Sequence, residues 1–304
     1  MNNSIKIASV LIIFYLISNN LLAQNSNVDA EDFCVTNNQL IDSLINVTQI
    51  NDKTILLSFG ADAITAIKTQ KGIVIIDAGI STGLTSKFRK RIETNFQENK
   101  FVYVINTHSH SDHYGGNSVF PEAKIVAQKN GLKEISAKVP GSNKQQRLLK
   151  VVEKYDIKLK KYNRNTQDWY YAFTQKVRYY YAFKDAKSKL PIKQPDITFS
   201  DGYKIKMGDV SFEMIYFGKC HSESDILIYV PELKLLFVGD LMFQYGRPSI
   251  NDASMHDKLK WKQAILWIEK RMHNIEKIIN GHGELLTNDD LRYFNDQIME
   301  KISD

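Results

Sequence analysis

The chain has 304 residues, of which 43% are hydrophobic and 24% are charged, a balance typical of one large globular domain or two small ones. It contains no internal repeat or low-complexity tract, which excludes a repeat architecture and a compositionally biased chain. The net charge of +6 and the isoelectric point near 9.0 make the protein mildly basic, too weak a bias to indicate nucleic acid as a partner.

The amino terminus predicts a signal peptide over residues 1–23. Lys6 provides a short positive segment, residues 8–17 form an apolar core too short to span a bilayer comfortably, and Ala23 precedes a polar stretch. We therefore expect cleavage near Ala23, a periplasmic or secreted mature protein, and no stable membrane insertion after cleavage. An uncleaved membrane anchor is the alternative.

One α/β domain is predicted over residues 51–304, after an N-terminal extension at residues 24–50. In its first half, strands are predicted at residues 54–59, 63–68, 72–76, 101–105 and 124–127. Helices are predicted at residues 82–95 and 130–138. The first three strands read as an antiparallel meander, and the later alternation of strands and helices indicates a layered α/β arrangement.

Residues 141–195 are predicted to form a helical insertion whose composition differs from its surroundings. Its spacing near three and four indicates helices, which Pro191 and Pro195 end. Its basic residues are Lys144, Arg147, Lys150, Lys154, Lys158, Lys160, Lys161 and Arg164. Its aromatic residues are Trp169, Tyr170, Tyr171, Phe173, Tyr179, Tyr180, Tyr181 and Phe183. Three interpretations stay open: aromatics packed on the core, a cap that lines a substrate cleft, and, least favoured, a surface that holds single-stranded nucleic acid.

The remaining strands end repeatedly at residues that can bind metal ions. These strands are predicted at residues 197–199, 203–205, 210–217, 225–230, 235–238 and 277–279, with helices at 255–272 and 287–302. Beyond the strand ends lie His221, Asp240 and His282, each beside or near a glycine.

The densest group of candidate ligands lies at residues 107–116, directly after a predicted strand. His108 and His110 are two positions apart in extended chain and point the same way, whereas Asp112 and His113 need a tighter turn to face a second point. One short loop can therefore supply ligands to two neighbouring ions.

Together with the later strand ends, this loop predicts a site for two metal ions. The residues assigned to the first ion are His108, His110 and His221. The residues assigned to the second ion are Asp112, His113 and His282. Asp240 is placed between the ions, because one carboxylate oxygen can face each cation. Two zinc ions are the expected cofactors, although iron or manganese could replace them.

Purely structural roles are the alternative for these residues. Four ligand types within six positions, followed by three more at strand ends, disfavour isolated structural histidines. A structural zinc site is disfavoured because such sites are closed and cysteine-rich, and neither Cys34 nor Cys220 belongs to the set. The two cysteines could form a disulfide, and a free Cys220 thiol near the metals is equally compatible with the sequence. His256 and His273 are interpreted as surface or packing residues.

Four motifs at these intervals resemble the metallo-β-lactamase superfamily. They are the H-x-H-x-D-H loop with Gly115-Gly116, then Cys220-His221-Ser222, Gly239-Asp240-Leu241 and Gly281-His282-Gly283. The resemblance covers nearly all of residues 51–304 and implies a four-layer αβ/βα sandwich of two β-sheets, with helices on both outer faces and the metals at one edge. It implies the same ligand sets and bridge, and it identifies Asp77 as the aspartate that steadies the metal loop.

Asp240 marks a departure within this resemblance. In the commonest true β-lactamases of the family a cysteine stands at this position, so that the chain resembles the glyoxalase II, lactonase and general hydrolase branches. Another lactamase branch lacks that cysteine, which leaves β-lactam hydrolysis open. The alternatives are a mononuclear iron persulfide or thiol dioxygenase and a phosphodiesterase or nuclease of the same fold. Expected export and the lack of a dedicated RNA-binding module count against a nuclease.

The sequence therefore predicts an exported dinuclear zinc hydrolase that acts on a small-molecule ester, lactone, thioester or amide. In the expected mechanism a metal-bridging hydroxide attacks the carbonyl carbon. Asp112 is predicted to orient the hydroxide and relay its proton. Tyr114 is a candidate donor to an oxyanion, although a packing role is favoured. A binding protein that grips an anionic polymer through residues 141–195 is a further alternative, disfavoured by the complete ligand set.

Overall fold

The computed structural model describes residues 37–137, 142–244 and 254–303. The predicted signal peptide, its cleavage position at Ala23, and Cys34 lie outside these ranges. Within them, no helix has both the length and the apolar character needed to cross a membrane.

The first sheet has seven strands whose spatial order is their chain order. They are β1 (Asn46–Asn51), β2 (Thr54–Phe59), β3 (Asp62–Thr69), β4 (Gly72–Ile76), β5 (Phe101–Ile105), β6 (Lys124–Gln128) and β7 (Ile197–Phe199). Strands β1 to β4 pair antiparallel, which confirms the predicted meander, and β4 to β7 pair parallel. Because β4 and β5 are parallel, their carboxyl ends reach the same edge of the sheet.

The second sheet has six strands in the order β13, β12, β11, β10, β9, β8. They are β8 (Gly202–Lys206), β9 (Ser211–Tyr216), β10 (Ile226–Val230), β11 (Leu235–Gly239), β12 (Lys277–Asn280) and β13 (Leu285–Leu286). Only β11 and β12 pair parallel within this sheet, so their carboxyl ends also share an edge.

Eight α-helices are seen in the described part of the chain. They are α1 (Asn38–Ser43), α2 (Thr82–Phe96), α3 (Ser111–Tyr114), α4 (Lys129–Ala137), α5 (Ser142–Lys161), α6 (Gln167–Lys187), α7 (Met255–Glu269) and α8 (Asn288–Ser303). Side-chain capping hydrogen bonds mark the first turn of several of these helices. The Ser81 side chain accepts a hydrogen bond from the Leu84 backbone N–H at the start of α2, and Ser254 and Asp257 form a capping box at the start of α7.

Three apolar cores hold four layers together. The central core lies between the two sheets and includes Val74 and Phe212. One outer core, which includes Phe88, joins the first sheet to α2, α5 and α6. The other, which includes Trp261 and Phe294, joins the second sheet to α7 and α8. The order helix, sheet, sheet, helix confirms the predicted αβ/βα sandwich.

Strand β4 shows why the sequences of the central strands are apolar at every position. Its alternate residues face opposite cores, with Ile73 and Ile75 in the outer core and Val74 and Ile76 in the central core. A strand that is covered on both faces needs apolar residues at every position.

The sequence interpretation missed α1, β1 and β13. Strand β1 lies at the edge of its sheet, and only Ile50 among its six residues is buried, so its apolar alternation is weak. Strand β13 has only two residues. The helix predicted at residues 255–272 ends earlier, at Glu269, and a 3₁₀ turn follows at Met272–Asn274.

Residues 141–195 contain helices, as predicted; the structure shows two, α5 and α6, which pack on each other as a hairpin on the outer face of the first sheet. Trp169 and Phe173 of α6 lie in the outer core, whereas Lys150 and Lys154 of α5 are exposed. These residues agree with the interpretation that aromatics pack on the core while lysines face solvent, although Tyr171 is exposed.

Replacing Phe173 with alanine is expected to lower the free energy of unfolding by about 3–5 kcal/mol. Its ring is fully buried and stacks on Trp169, with centroids 5.3 Å apart. Urea denaturation followed by circular dichroism measures the change. The control is Tyr171→Ala on the same helix, where the ring is 52% exposed and the expected cost is below about 1.5 kcal/mol. If Phe173→Ala lowered the free energy of unfolding no more than Tyr171→Ala does, the hairpin would not be part of the core.

Candidate metal centre

The candidate ligands lie where strands end at a shared edge of the two sheets. The loops after the parallel pairs β4–β5 and β11–β12 emerge there, joined by the loop between β9 and β10 and by the one-turn helix α3. The residues that these segments contribute are Asp77, His108, His110, Asp112, His113, His221, Asp240 and His282. A backbone hydrogen bond links loops of the two sheets: the Ile226 N–H donates to the Thr107 carbonyl oxygen.

A first group contains His108, His110, His221 and Asp240, with candidate ligand atoms within 4.8 Å of one another. His221 Nε2 lies 3.1 Å from His110 Nδ1 and 3.6 Å from Asp240 Oδ2. His108 Nε2 lies 3.9 Å from the same oxygen. Ligand atoms in a tetrahedral zinc site, with bonds of about 2.0–2.1 Å to nitrogen, lie roughly 3.3 Å apart. The spacing therefore suits one small divalent ion.

A second group contains Asp112, His113 and His282, again with candidate ligand atoms within 4.8 Å of one another. His113 Nε2 lies 4.0 Å from Asp112 Oδ1. Asp240 reaches this group as well: its Oδ2 lies 3.1 Å from His282 Nε2, and its Oδ1 lies 3.5 Å from His113 Nε2. The Asp240 carboxylate therefore lies between the two groups, in the position expected from the sequence.

Two of the histidines are oriented through the ring nitrogen that faces away from the ligand groups. His113 Nδ1 lies 2.9 Å from Asp77 Oδ2, and His282 Nδ1 lies 2.6 Å from the carbonyl oxygen of Ala61. An imidazole that donates from Nδ1 keeps a lone pair on Nε2, the atom that points into the centre.

Asp77 ties the metal loop to the end of β4. It is 2% exposed, its backbone has the left-handed φ of 59°, and its Oδ1 accepts a hydrogen bond of 2.7 Å from the Thr107 N–H. The Thr107 hydroxyl donates to the same carboxylate, and Asp77 Oδ2 contacts His113. Asp77 thus holds both the start of the loop and one candidate ligand, as the resemblance implies.

Two glycines allow the segments to approach this closely. A Cβ atom at Gly281 would lie 2.6 Å from both Asp240 Oδ1 and His113 Cε1. A Cβ atom at Gly116 would lie 2.1 Å from the Ala78 carbonyl oxygen. Larger residues at either position would push the ligand-bearing loops apart.

A family comparison decides the family of this chain. The sequence model of the family described as "Metallo-beta-lactamase superfamily" matches residues 59–282, well over half of the chain. The chain belongs to the metallo-beta-lactamase superfamily. It is accordingly a metal-dependent hydrolase of that family.

Individual relatives in this superfamily are distant. The protein named metallo-beta-lactamase type 2 from Bacillus cereus is 22% identical over 249 residues, which are 79% of this chain and 77% of the relative. A protein of the same name from Elizabethkingia meningoseptica is 24% identical over 230 residues, 74% of this chain and 70% of the relative.

Solved structures that share the fold include two metallo-beta-lactamases. The metallo-beta-lactamase from Pontibacter korlensis aligns with a TM-score of 0.53 at 18% identity, covering 84% of this chain and 99% of that one. The metallo-beta-lactamase FIM-1 from Pseudomonas aeruginosa, in its mono-zinc form, aligns with a TM-score of 0.57 at 13% identity, covering 85% and 96%. At such identities the likeness establishes the fold and not the substrate.

The charges of this superfamily member concentrate around Asp240. Burial opposes its ionisation, but His113 and His282 outweigh that effect and hold the pKa of Asp240 far below its usual value. Burial also opposes the charge on His113, yet the carboxylates of Asp77 and Asp240 raise the pKa of His113 well above its usual value. The Asp240 carboxylate therefore favours positive charge close to it, which suits a site where neutral imidazoles would bind metal cations.

The donor atoms fit metal ions. His108 Nε2, His113 Nε2 and Asp240 Oδ1 are buried and have no hydrogen-bond partner among the described residues. Each such atom costs about 1–3 kcal/mol unless a partner satisfies it. Ions bound at the two groups would satisfy all three atoms together.

The sequence analysis did not identify Glu134, a polar residue that contacts two of the ligand-bearing loops. Glu134 of α4 accepts hydrogen bonds from the Ser109 hydroxyl, in the H-x-H loop, and from the Ser224 hydroxyl at 3.3 Å, near His221. It thereby connects two loops that carry candidate ligands. A lone carboxylate in a helix has no local pattern that would reveal partners 25 and 90 residues away.

The structure also bears on three other sequence interpretations. Tyr114 is fully buried and its Oη has no hydrogen-bond partner among the described residues, which favours packing; its oxyanion role stays a prediction. His256 and His273 are exposed, as interpreted.

Cys220 is buried with Trp261 in the outer core of the second sheet. It joins neither ligand group and forms no disulfide with a described residue. Pairing with Cys34 stays open, because Cys34 lies outside the described residues.

Proposed function

We propose that this chain is an exported dinuclear zinc hydrolase that cleaves a small carbonyl substrate, namely an ester, lactone, thioester or amide. The proposal rests above all on Asp240, whose carboxylate lies within 3.9 Å of ring nitrogens from both ligand groups. A carboxylate between two groups of metal-binding side chains could help to hold a cation in each of them. The distant relatives are named metallo-beta-lactamases, which makes the strained amide of a β-lactam the first substrate to try.

The candidate ligands would hold the metal ions, and Asp112 would also act on the attacking water. The three histidines of the first group and Asp112, His113 and His282 of the second would hold the ions. Bound zinc would supply Lewis-acid polarisation of a carbonyl oxygen and a water molecule whose pKa is lowered to about 7. The Asp112 side chain is 29% exposed, which makes it the carboxylate of the second group that substrate and solvent can reach. Its Oδ1 faces the centre and would orient the attacking water and accept its proton.

Metal analysis combined with a substrate panel tests the proposal. Purified protein should contain about two zinc ions per chain and should hydrolyse at least one chromogenic β-lactam, ester, lactone or thioester. A chelator should abolish turnover, and two equivalents of zinc should restore it. One iron per chain with thiol oxidation would identify the dioxygenase alternative, and full turnover without metal would refute the proposal.

Export is supported by residues 1–23 alone. Expression of the full chain, followed by amino-terminal sequencing of the exported protein, should give Gln24 as the first residue. A full-length chain in the membrane fraction would instead support the uncleaved anchor.

A further inference from the structure

Arg178 of α6 is a buried cation directed toward the metal centre from the helical hairpin. It is 3% exposed, and its Nη2 lies 3.7 Å from Asp112 Oδ2 and 3.8 Å from Asp62 Oδ1. Its Nη1 donates to Gln175 Oε1 at 2.9 Å, and its Nε has no hydrogen-bond partner among the described residues. A buried guanidinium is costly unless opposite charges surround it. The carboxylates of Asp62 and Asp112 provide that compensation.

The two oxygens of Asp112 face different partners. Oδ1 lies 4.0 Å from His113 Nε2, on the side of the second ligand group, whereas Oδ2 faces Arg178. Asp112 lies on the single turn of α3, a short element that cannot by itself define the rotation of a carboxylate. The ion pair between Arg178 and the outer oxygen restricts the directions in which the inner oxygen can point.

Asp62 also contacts Arg178, through the same Nη2 that faces Asp112. It is 1% exposed at the start of β3, and its Oδ1 accepts a hydrogen bond of 3.1 Å from the Ile80 N–H. Without the guanidinium, the carboxylates of Asp62 and Asp112 would face each other with no intervening positive charge. Repulsion between them would then turn Asp112 away from the second group.

We propose that Arg178 is a positioning residue that aims Asp112 at the second metal ion, so that the hairpin of α5 and α6 completes the centre. This inference rests on the proposed dinuclear function. It assigns the hairpin a role at the site that differs from a cap, because the contact is a buried charge behind a ligand and not a surface over the substrate. Support behind a metal ligand is typically worth about 10–100-fold in metal affinity.

Titration of metal-free protein with Co²⁺ or Zn²⁺ in competition with a chromogenic chelator tests the inference, because it resolves two binding steps without using turnover. Arg178→Met is expected to weaken the second step by about 10–100-fold and to leave the first unchanged. Arg178→Lys keeps the charge and should recover part of the loss. Because Arg178→Met leaves Asp62 unpaired, the double variant Asp62→Asn/Arg178→Met provides a second test in a chain with less buried charge. It should still weaken the second step selectively, but by less than Arg178→Met alone, because Asp112 Oδ2 has lost its charged partner whereas repulsion from Asp62 is removed.

Lys176→Met is the matched control. Lys176 is also a buried cation of α6, 5% exposed, but its Nζ pairs with Asp156 within the hairpin at 2.5 Å. Its loss should lower stability while both metal affinities stay at the wild-type values. Wild-type affinities in both Arg178→Met and the double variant, or equal weakening in Lys176→Met, would overturn the inference alone. A wild-type protein that binds only one ion would overturn the dinuclear proposal, and the inference with it.

Discussion

Asp240→Ala is expected to abolish turnover and to remove bound metal together. Its carboxylate contacts ring nitrogens of both ligand groups, so the substitution leaves the two groups with no shared anion between clustered histidines. Loss of metal assistance removes several kcal/mol of transition-state stabilisation, which corresponds to a fall in kcat/KM of at least about 10³-fold. Elemental analysis of the purified variant and its hydrolysis rate measure both effects.

His256→Ala is the matched control for this prediction. His256 is an exposed histidine outside both ligand groups, so that its replacement should change neither metal content nor rate. An Asp240→Ala variant that keeps two ions would contradict the bridging assignment. A metal-free variant that keeps turnover would contradict the metal-dependent mechanism altogether.

Asp77→Ala is expected to destabilise the protein by about 3–5 kcal/mol and to weaken zinc binding by about 10–100-fold. The buried carboxylate accepts hydrogen bonds from the Thr107 N–H and hydroxyl and contacts His113 Nδ1, and alanine would leave these donors unsatisfied. Because Asp77 does not face the metal groups directly, its effect on zinc is indirect. Urea denaturation without metal and zinc titration separate the two effects.

Asp77→Asn separates the loss of the carboxylate charge from the loss of the side chain's size and hydrogen-bond acceptor. Asparagine tolerates the left-handed backbone at this position and can still accept hydrogen bonds from Thr107. Its cost in stability should therefore be smaller than that of alanine, whereas His113 loses its anionic partner in both variants. Zinc affinity at the wild-type value in Asp77→Ala would show that Asp77 does not steady the loop.

Most of the fold could be predicted because its strands are covered on both faces. The apolar runs of β4 and β5 coincide with residues 72–76 and 101–105 as predicted, since burial on both sides leaves little room for polar residues. Edge strand β1 escaped prediction because solvent covers much of its surface and relaxes that constraint.

The candidate ligands could be predicted because metal chemistry restricts them to few residue types, and here the types recur at strand ends. The residues behind them could not. Arg178 reaches Asp112 across 66 positions of chain, and Glu134 joins Ser109 to Ser224. A buried charge is compensated by whichever opposite charge the fold brings near, and neither spacing nor composition reveals that partner.

The sequence by itself determined the layered α/β class, the helices of residues 141–195, and the seven residues that cluster as candidate ligands. It could do so because burial and ligand chemistry act on each short segment separately. Only the tertiary structure decided that Asp77 and Ala61 contact the outward ring nitrogens of two histidines and that the hairpin places Arg178 beside Asp112. These contacts join segments that are distant in the chain, and their distances depend on how the two sheets and their helices pack together.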